Sequence, residues 1–96
     1  MKEYAYVYIL TNRMQGVLYI GVSTDLVKRI WQHREGLAEG FTKRYNLKNL
    51  VWYETHGEIV AAITREKQIK KWNRAWKIEL IEKENRDWRD LYPDIL

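Results

Sequence analysis

The residues best suited to chemistry in this chain are two tyrosines, an arginine–histidine pair, one isolated carboxylate and one late asparagine. Tyr8 and Tyr19 stand in two neighbouring apolar stretches. A phenol has a reference pKa of about 10, so it acts as a base near neutrality only beside a cation. Tyrosines in alternating strands are equally at home as core packing. Arg29 and His33 lie four residues apart and share one face of a helix. A guanidinium is always charged and forked, which suits a phosphate. An imidazole can donate a proton or a hydrogen bond. Lys28 and Arg34 flank the pair, so a solvated helix face competes with that use. Glu66 is the only acid between Thr64 and Ala75, among Arg65, Lys67, Lys70, Lys71 and Arg74. One carboxylate with several waters makes a reasonable Mg²⁺ site; the bland alternative is an i,i+4 partner for Lys70. Asn85 can fix a metal shell or a phosphate by hydrogen bonds, or cap a helix end.

These groups need rigid elements to hold them. Tyr4 to Leu10 is aromatic and β-branched and reads as a strand. Tyr4, Tyr6 and Tyr8 line one side and Ala5, Val7 and Ile9 the other, as in a sheet covered on both faces. Thr11 to Gly16 is a polar turn, and Val17 to Val22 is a second strand, pairing as a hairpin. Ser23 or Thr24 caps a following helix with Asp25 in its first turn. Leu26, Ile30 and Leu37 form its buried face, and Gly36 and Gly40 bracket its end. Phe41 to Lys48 reads as a basic loop and Leu50 to Glu54 as a third strand. Helical spacing runs from Glu58 to about Glu84, with Ala61, Ala62, Ile63 and Ile69 in its first part. So long a helix calls for a break near Asn73. Asn85 to Leu96 is expected to pack irregularly. The expected fold is α/β in layered α+β form: a small three-stranded antiparallel sheet flanked by helices, in the order β-β-α-β-α-α, as one domain over residues 1–96.

The totals narrow the function. The net charge of +4 and pI near 9.4 fit a polyanionic partner. Cysteine is absent, which excludes disulfides, thiolate metal sites and a cysteine nucleophile. No glycine-rich phosphate loop occurs, and His33 and His56 are the only histidines, not at metal-ligand spacing. Thr55, Thr64 and Ser23 show no nucleophile setting. The first apolar run is far too short to span a bilayer and no cleavage signature follows it, so a cytoplasmic protein is expected. Five Trp and seven Tyr suit either a small dense core or base stacking. Lys43, Arg44 and Tyr45 offer backbone contacts beside a site. So do Lys67, Lys70 and Lys71 in the basic stretch Arg65 to Lys77. Trp72 and Trp76 within that stretch are read as core.

Taken in order, the motifs resemble the GIY-YIG nuclease family. Tyr6-Val7-Tyr8 ends in the tyrosine of the first half-motif, with Tyr6 and Val7 where the family's Gly and Ile stand. Tyr19-Ile20-Gly21 matches the second half. Arg29 follows ten residues past Tyr19, and His33 four after that. Arg65 to Lys70 resembles the segment carrying the family's metal-binding glutamate. Asn85-Arg86-Asp87-Trp88-Arg89-Asp90-Leu91 resembles the closing motif of its small stand-alone members.

The resemblance implies hydrolysis of a phosphodiester, helped by one divalent cation, Mg²⁺ or Mn²⁺, at Glu66. It implies catalytic roles for Tyr8, Tyr19, Arg29, His33, Glu66 and Asn85. Tyr19 is read as the base that activates water and Tyr8 as its orienter, the two facing each other across the hairpin. Nucleic acid is the implied partner, DNA ahead of RNA. One short domain has little surface to grip a duplex in register, so single-stranded or branched DNA with weak sequence specificity is expected. A non-catalytic binding module of the same fold is the alternative, and it predicts loss of Tyr19, Arg29 or Glu66.

Overall fold

The structure, a computed structural model, describes residues 4–38 and 40–96. Met1, Lys2, Glu3 and Glu39 lie outside the described residues. Three strands form one antiparallel sheet in the order β2-β1-β3. Strand β1 spans Ala5–Thr11, β2 Leu18–Ser23 and β3 Asn49–His56. Helices α1 (Leu26–Arg34) and α2 (Phe41–Arg44) lie between β2 and β3. Helices α3 (Ile59–Lys71), α4 (Arg74–Glu84) and α5 (Tyr92–Ile95) follow. The expected element order holds, with α2 and α5 added as single turns. Among the described residues no helix is long and apolar enough to cross a membrane.

Strand β1 is central and buried on both faces, which is why neither of its sides is polar. Ala5, Val7 and Ile9 meet Ala62 and Ile69 of α3, Ile81 of α4 and Trp88 of the tail. Tyr8 and Leu10 face the other way, onto Leu26 and Ile30 of α1 together with Leu47 and Leu50.

Several local expectations change. Asp25, not Ser23 or Thr24, caps α1: its Oδ1 accepts from the Lys28 amide at 3.1 Å. The Ser23 hydroxyl is used one step earlier, accepting from the Asp25 amide at 3.0 Å. Leu37 is 62% exposed, because α1 stops at Arg34 and Gly36 turns the chain left-handed at φ 71°. Leu47 fills the core from the next segment instead. The expected basic loop contains the turn of α2, with Thr42 buried, and ends at Asn46 in the left-handed region.

The break near Asn73 is present. Its Oδ1 accepts from the Trp76 amide at 2.9 Å and starts α4. Trp72 packs against the core, but Trp76 does not: the new helix leaves it 55% exposed, edge-on to Trp72. The tail is more ordered than expected. Trp88 is buried with φ 57° and its Nε1–H donates to Glu82 at 2.7 Å. The Asp90 carboxylate accepts from the Leu50 amide at 3.1 Å, and the Leu91 amide donates to the Leu50 carbonyl at 2.7 Å. The tail thereby covers the outer edge of β3, which would otherwise present unpaired backbone groups.

Candidate active site

The hairpin register controls the site. Tyr8 lies opposite Gly21, and Tyr19 opposite Leu10. The two tyrosines are thus diagonal neighbours on one sheet face rather than directly opposed, their ring centroids 6.3 Å apart. Gly21 is what permits this. A Cβ at that position would overlap Cζ and the hydroxyl oxygen of Tyr8, so the phenol lies across the bare glycine backbone.

Helix α1 brings His33 over both rings, with centroids 5.8 Å from Tyr8 and 5.6 Å from Tyr19. The Tyr8 hydroxyl and His33 Nε2 are hydrogen-bonded at 3.0 Å, and His33 Nδ1 and the Thr42 hydroxyl at 2.9 Å. A neutral imidazole satisfies both bonds, one nitrogen donating and the other accepting. Burial pushes His33 down from 6.5 to about 4, with the nearby Arg29 charge adding to the effect. At neutral pH His33 is therefore an uncharged positioning partner for Tyr8, not a cationic acid. Burial likewise pushes Tyr8 up to about 12, with Tyr19 and Glu66 adding to the rise and the Arg29 guanidinium opposing it.

Arg29 lies one turn before His33 on the same face, and its Nη1 donates to Gln32 at 3.1 Å. Glu66 comes from α3, across the sheet, yet its charge is felt at the Tyr8 phenol. Its side chain is only 13% exposed, and one oxygen lies 3.4 Å from Lys70 Nζ. The inward position and the i,i+4 pair thus coexist. Tyr8, Tyr19, Arg29 and His33 stand together, and the Glu66 charge reaches Tyr8.

Asn85 does not join them. It is the C-cap of α4, held against β3, at the opposite side of the sheet from Tyr19 on β2. Its Nδ2 donates to the carbonyls of Val51 and Arg89 at 3.0 and 2.8 Å, and its Oδ1 accepts from the Arg89 amide at 3.0 Å. Val51 is the extra residue where the β1–β3 register shifts between Ile9 and Leu10. Asn85 thus supplies the partner that a bulged carbonyl would lack. These bonds give the motif position a structural role and favour the helix-end reading of Asn85 over the catalytic one.

Lys43, Arg44 and Tyr45 are exposed on α2 and its end, and Lys67, Lys70 and Lys71 are exposed on α3. A row of rings runs outward from the site: Phe41 stacks on Tyr19 at 6.3 Å, and Tyr45 follows Phe41 at 4.7 Å. Sequence reasoning missed Phe41, the bond of Thr42 to His33 and the role of Gly21. Thr42 and Phe41 lay in a stretch read as loop, where no periodicity ties them to His33 or Tyr19. Gly21 was visible only as a motif letter.

Among the described residues no three His, Cys, Asp or Glu side chains stand together as metal ligands. A lone, mostly covered carboxylate such as Glu66 fits a hard cation that keeps most of its water, as Mg²⁺ does. It does not fit an ion that demands a full protein cage.

The family model of the GIY-YIG catalytic domain matches residues 4–79. The chain belongs to the GIY-YIG family. Domains of this family are in general nucleases that act on nucleic acid and typically use a divalent metal. The UPF0213 protein of Aeromonas salmonicida is 33% identical over 81 residues, covering 84% of this chain and 59% of that protein. This chain thus spans about three-fifths of that relative's length. The UPF0213 protein of Haloquadratum walsbyi is 34% identical over 82 residues, covering 85% of this chain and 91% of that one. The solution NMR structure of a UPF0213 protein from Bacillus halodurans superposes with a TM-score of 0.57 at 26% identity, covering 91% of this chain and 92% of that one.

Proposed function

We propose that this GIY-YIG domain is a metal-dependent endonuclease that hydrolyses phosphodiester bonds in DNA, with a preference for unpaired or branched strands and weak sequence specificity. The observation that carries the reading is the cluster itself. Two phenols, a guanidinium and a neutral imidazole, from β1, β2 and α1, gather on one sheet face, and the Glu66 carboxylate of α3 is near enough for its charge to act on the Tyr8 phenol. Core packing alone gives no reason to gather a buried phenol, an arginine and a glutamate there.

The two tyrosines divide the work by environment. Tyr8 is buried and hydrogen-bonded to His33, and burial raises its pKa, which favours it as the phenol that orients rather than the one that takes the proton. Tyr19 is half-buried at the rim and is the phenol left to accept the proton of the attacking water. Arg29 provides the forked donor for the scissile phosphate. His33, braced by Thr42, fixes the Tyr8 hydroxyl. Glu66 would hold a divalent cation, Mg²⁺ or Mn²⁺, whose charge, when bound, offsets the charge developing on the phosphate and lowers the proton affinity of a nearby phenol.

The test is cleavage of end-labelled single-stranded, branched and duplex DNA with Mg²⁺ or Mn²⁺, with EDTA and Glu66→Ala as controls. Cutting that both controls abolish supports the proposal, and the strand preference names the substrate class. Salt-sensitive binding without cutting under either metal would replace it with the non-catalytic binding module. Cutting of intact duplex at one defined sequence would refute the strand preference.

A further inference from the structure

Beside Tyr19, on the outer side of the edge strand β2, runs a groove of about 250 Å³ lined by Leu18, Tyr19, Ile20, Phe41, Lys70 and Lys77. Its lining is of two kinds. Part is aromatic: Phe41 is 46% exposed although it stacks on Tyr19, and Tyr45 beyond it is 40% exposed, with the Arg44 guanidinium 5.5 Å from its ring centre. Lys70 of α3, whose ammonium also lies 3.4 Å from Glu66, and Lys77 of α4 line the rest of the groove. Arg74, one turn before Lys77, donates to the carbonyls of Gln15 and Gly16, which pins α4 to the hairpin. The groove is smaller than a cleft for a large ligand.

From this geometry we infer that the groove is the seat of one unpaired nucleotide flanking the scissile phosphate, its base stacked on Phe41 and its phosphate facing Lys70 and Lys77. The inference rests on the nuclease reading for the position of the scissile bond and goes beyond it in naming what selects the strand. Every base offers a π-face, so stacking tolerates any sequence. In a duplex those faces are already covered by neighbouring pairs. A Phe41 seat therefore demands a base that is free to leave the stack, and it lies against the proposed catalytic phenol, where such a demand controls cutting. Charge supports the same occupant, since aromatic and lysine side chains lining one groove match a base joined to a phosphate.

The experiment uses single-stranded oligonucleotides carrying 2-aminopurine at successive positions, mixed with the full chain in EDTA so that binding is read without cutting. Stacking on Phe41 should quench the fluorescence. Phe41→Leu should remove the quench and weaken binding roughly tenfold, within the range for loss of one base–aromatic stack, while Phe41→Trp should keep both. Phe41 is half-exposed, so thermal unfolding of the Leu variant should match the wild type. Lys77→Gln should lower the salt dependence of binding. Pairing the reporter base with a complementary strand should abolish the quench. Equal quenching and affinity in Phe41→Leu, or equal quenching of the paired reporter, would overturn the inference. The two readings fail separately. Metal-dependent cutting that is indifferent to Phe41 leaves the nuclease and removes the seat. A Phe41-dependent quench without cutting leaves the seat and removes the nuclease.

Discussion

Acid should destabilise this protein through His33 before the carboxylates titrate. Burial holds the folded-state imidazole at about 4 against 6.5 in the free side chain. Above 6.5 the group is neutral in both folded and unfolded chains, and its bonds to Tyr8 and Thr42 contribute fully. Between 6.5 and about 4 the unfolded chain takes up a proton that the folded chain refuses. Stability is therefore lost as pH falls through this window, at about 1.4 kcal/mol per pH unit. Across the window the loss reaches roughly 3 kcal/mol, a large share of the 5–15 kcal/mol typical of a domain. The assay is urea unfolding, followed by tryptophan fluorescence, of wild type and His33→Gln between pH 7.5 and 4.5. The Gln variant cannot titrate, so subtracting its curve removes the carboxylates and His56, which both proteins share. The difference should have a slope near one proton below pH 6. Parallel curves, or an NMR titration placing His33 near 6.5, would refute the burial argument and with it the assignment of His33 as a neutral positioning group.

Three further substitutions probe the site. Gly21→Ala should cost about 1–3 kcal/mol by overpacking and, because the new methyl displaces the Tyr8 ring, should depress cutting more than the lost stability explains; normal stability and activity would show that the close approach is not needed. Asn85→Ala should lower stability by roughly 2–3 kcal/mol, since it strands the Val51 carbonyl and two Arg89 backbone groups, yet leave cutting per folded molecule unchanged at low temperature. Loss of activity at unchanged melting temperature would return Asn85 to the catalytic set. Glu66→Gln keeps the shape and removes the charge; it should abolish metal-dependent cutting while leaving DNA binding within a few-fold in a filter-binding assay. Full activity in this variant would detach the metal from Glu66.

Local pattern carried most of the architecture. Alternation along Ala5 to Leu10, the polar turn before Val17, helical spacing through α3 and the cap at Asn73 all depend on neighbours within a few residues, and chemistry at that range can be read directly. The i,i+4 spacing of Arg29 and His33 and the order of the tyrosine motifs pointed to four residues that lie close together. What local pattern could not carry is whatever depends on register or on long separations. Tyr19 sits diagonal to Tyr8, because pairing places Gly21 under the phenol. His33 is neutral, because Thr42 and the surrounding core close over it, and burial is a property of the assembled fold. Asn85 looked like a ligand in the motif, but a bulge in β3, remote in sequence, claims its amide. Phe41 and Trp76 stand in the open, because α2 and α4 start where caps and left-handed turns put them, not where a continuous helical stripe would. Residue types and spacing thus name the chemistry a chain can attempt. Which groups are dry, charged, aimed or free follows only from contacts between segments far apart in sequence, because desolvation and hydrogen-bond partners are set by the packed neighbours.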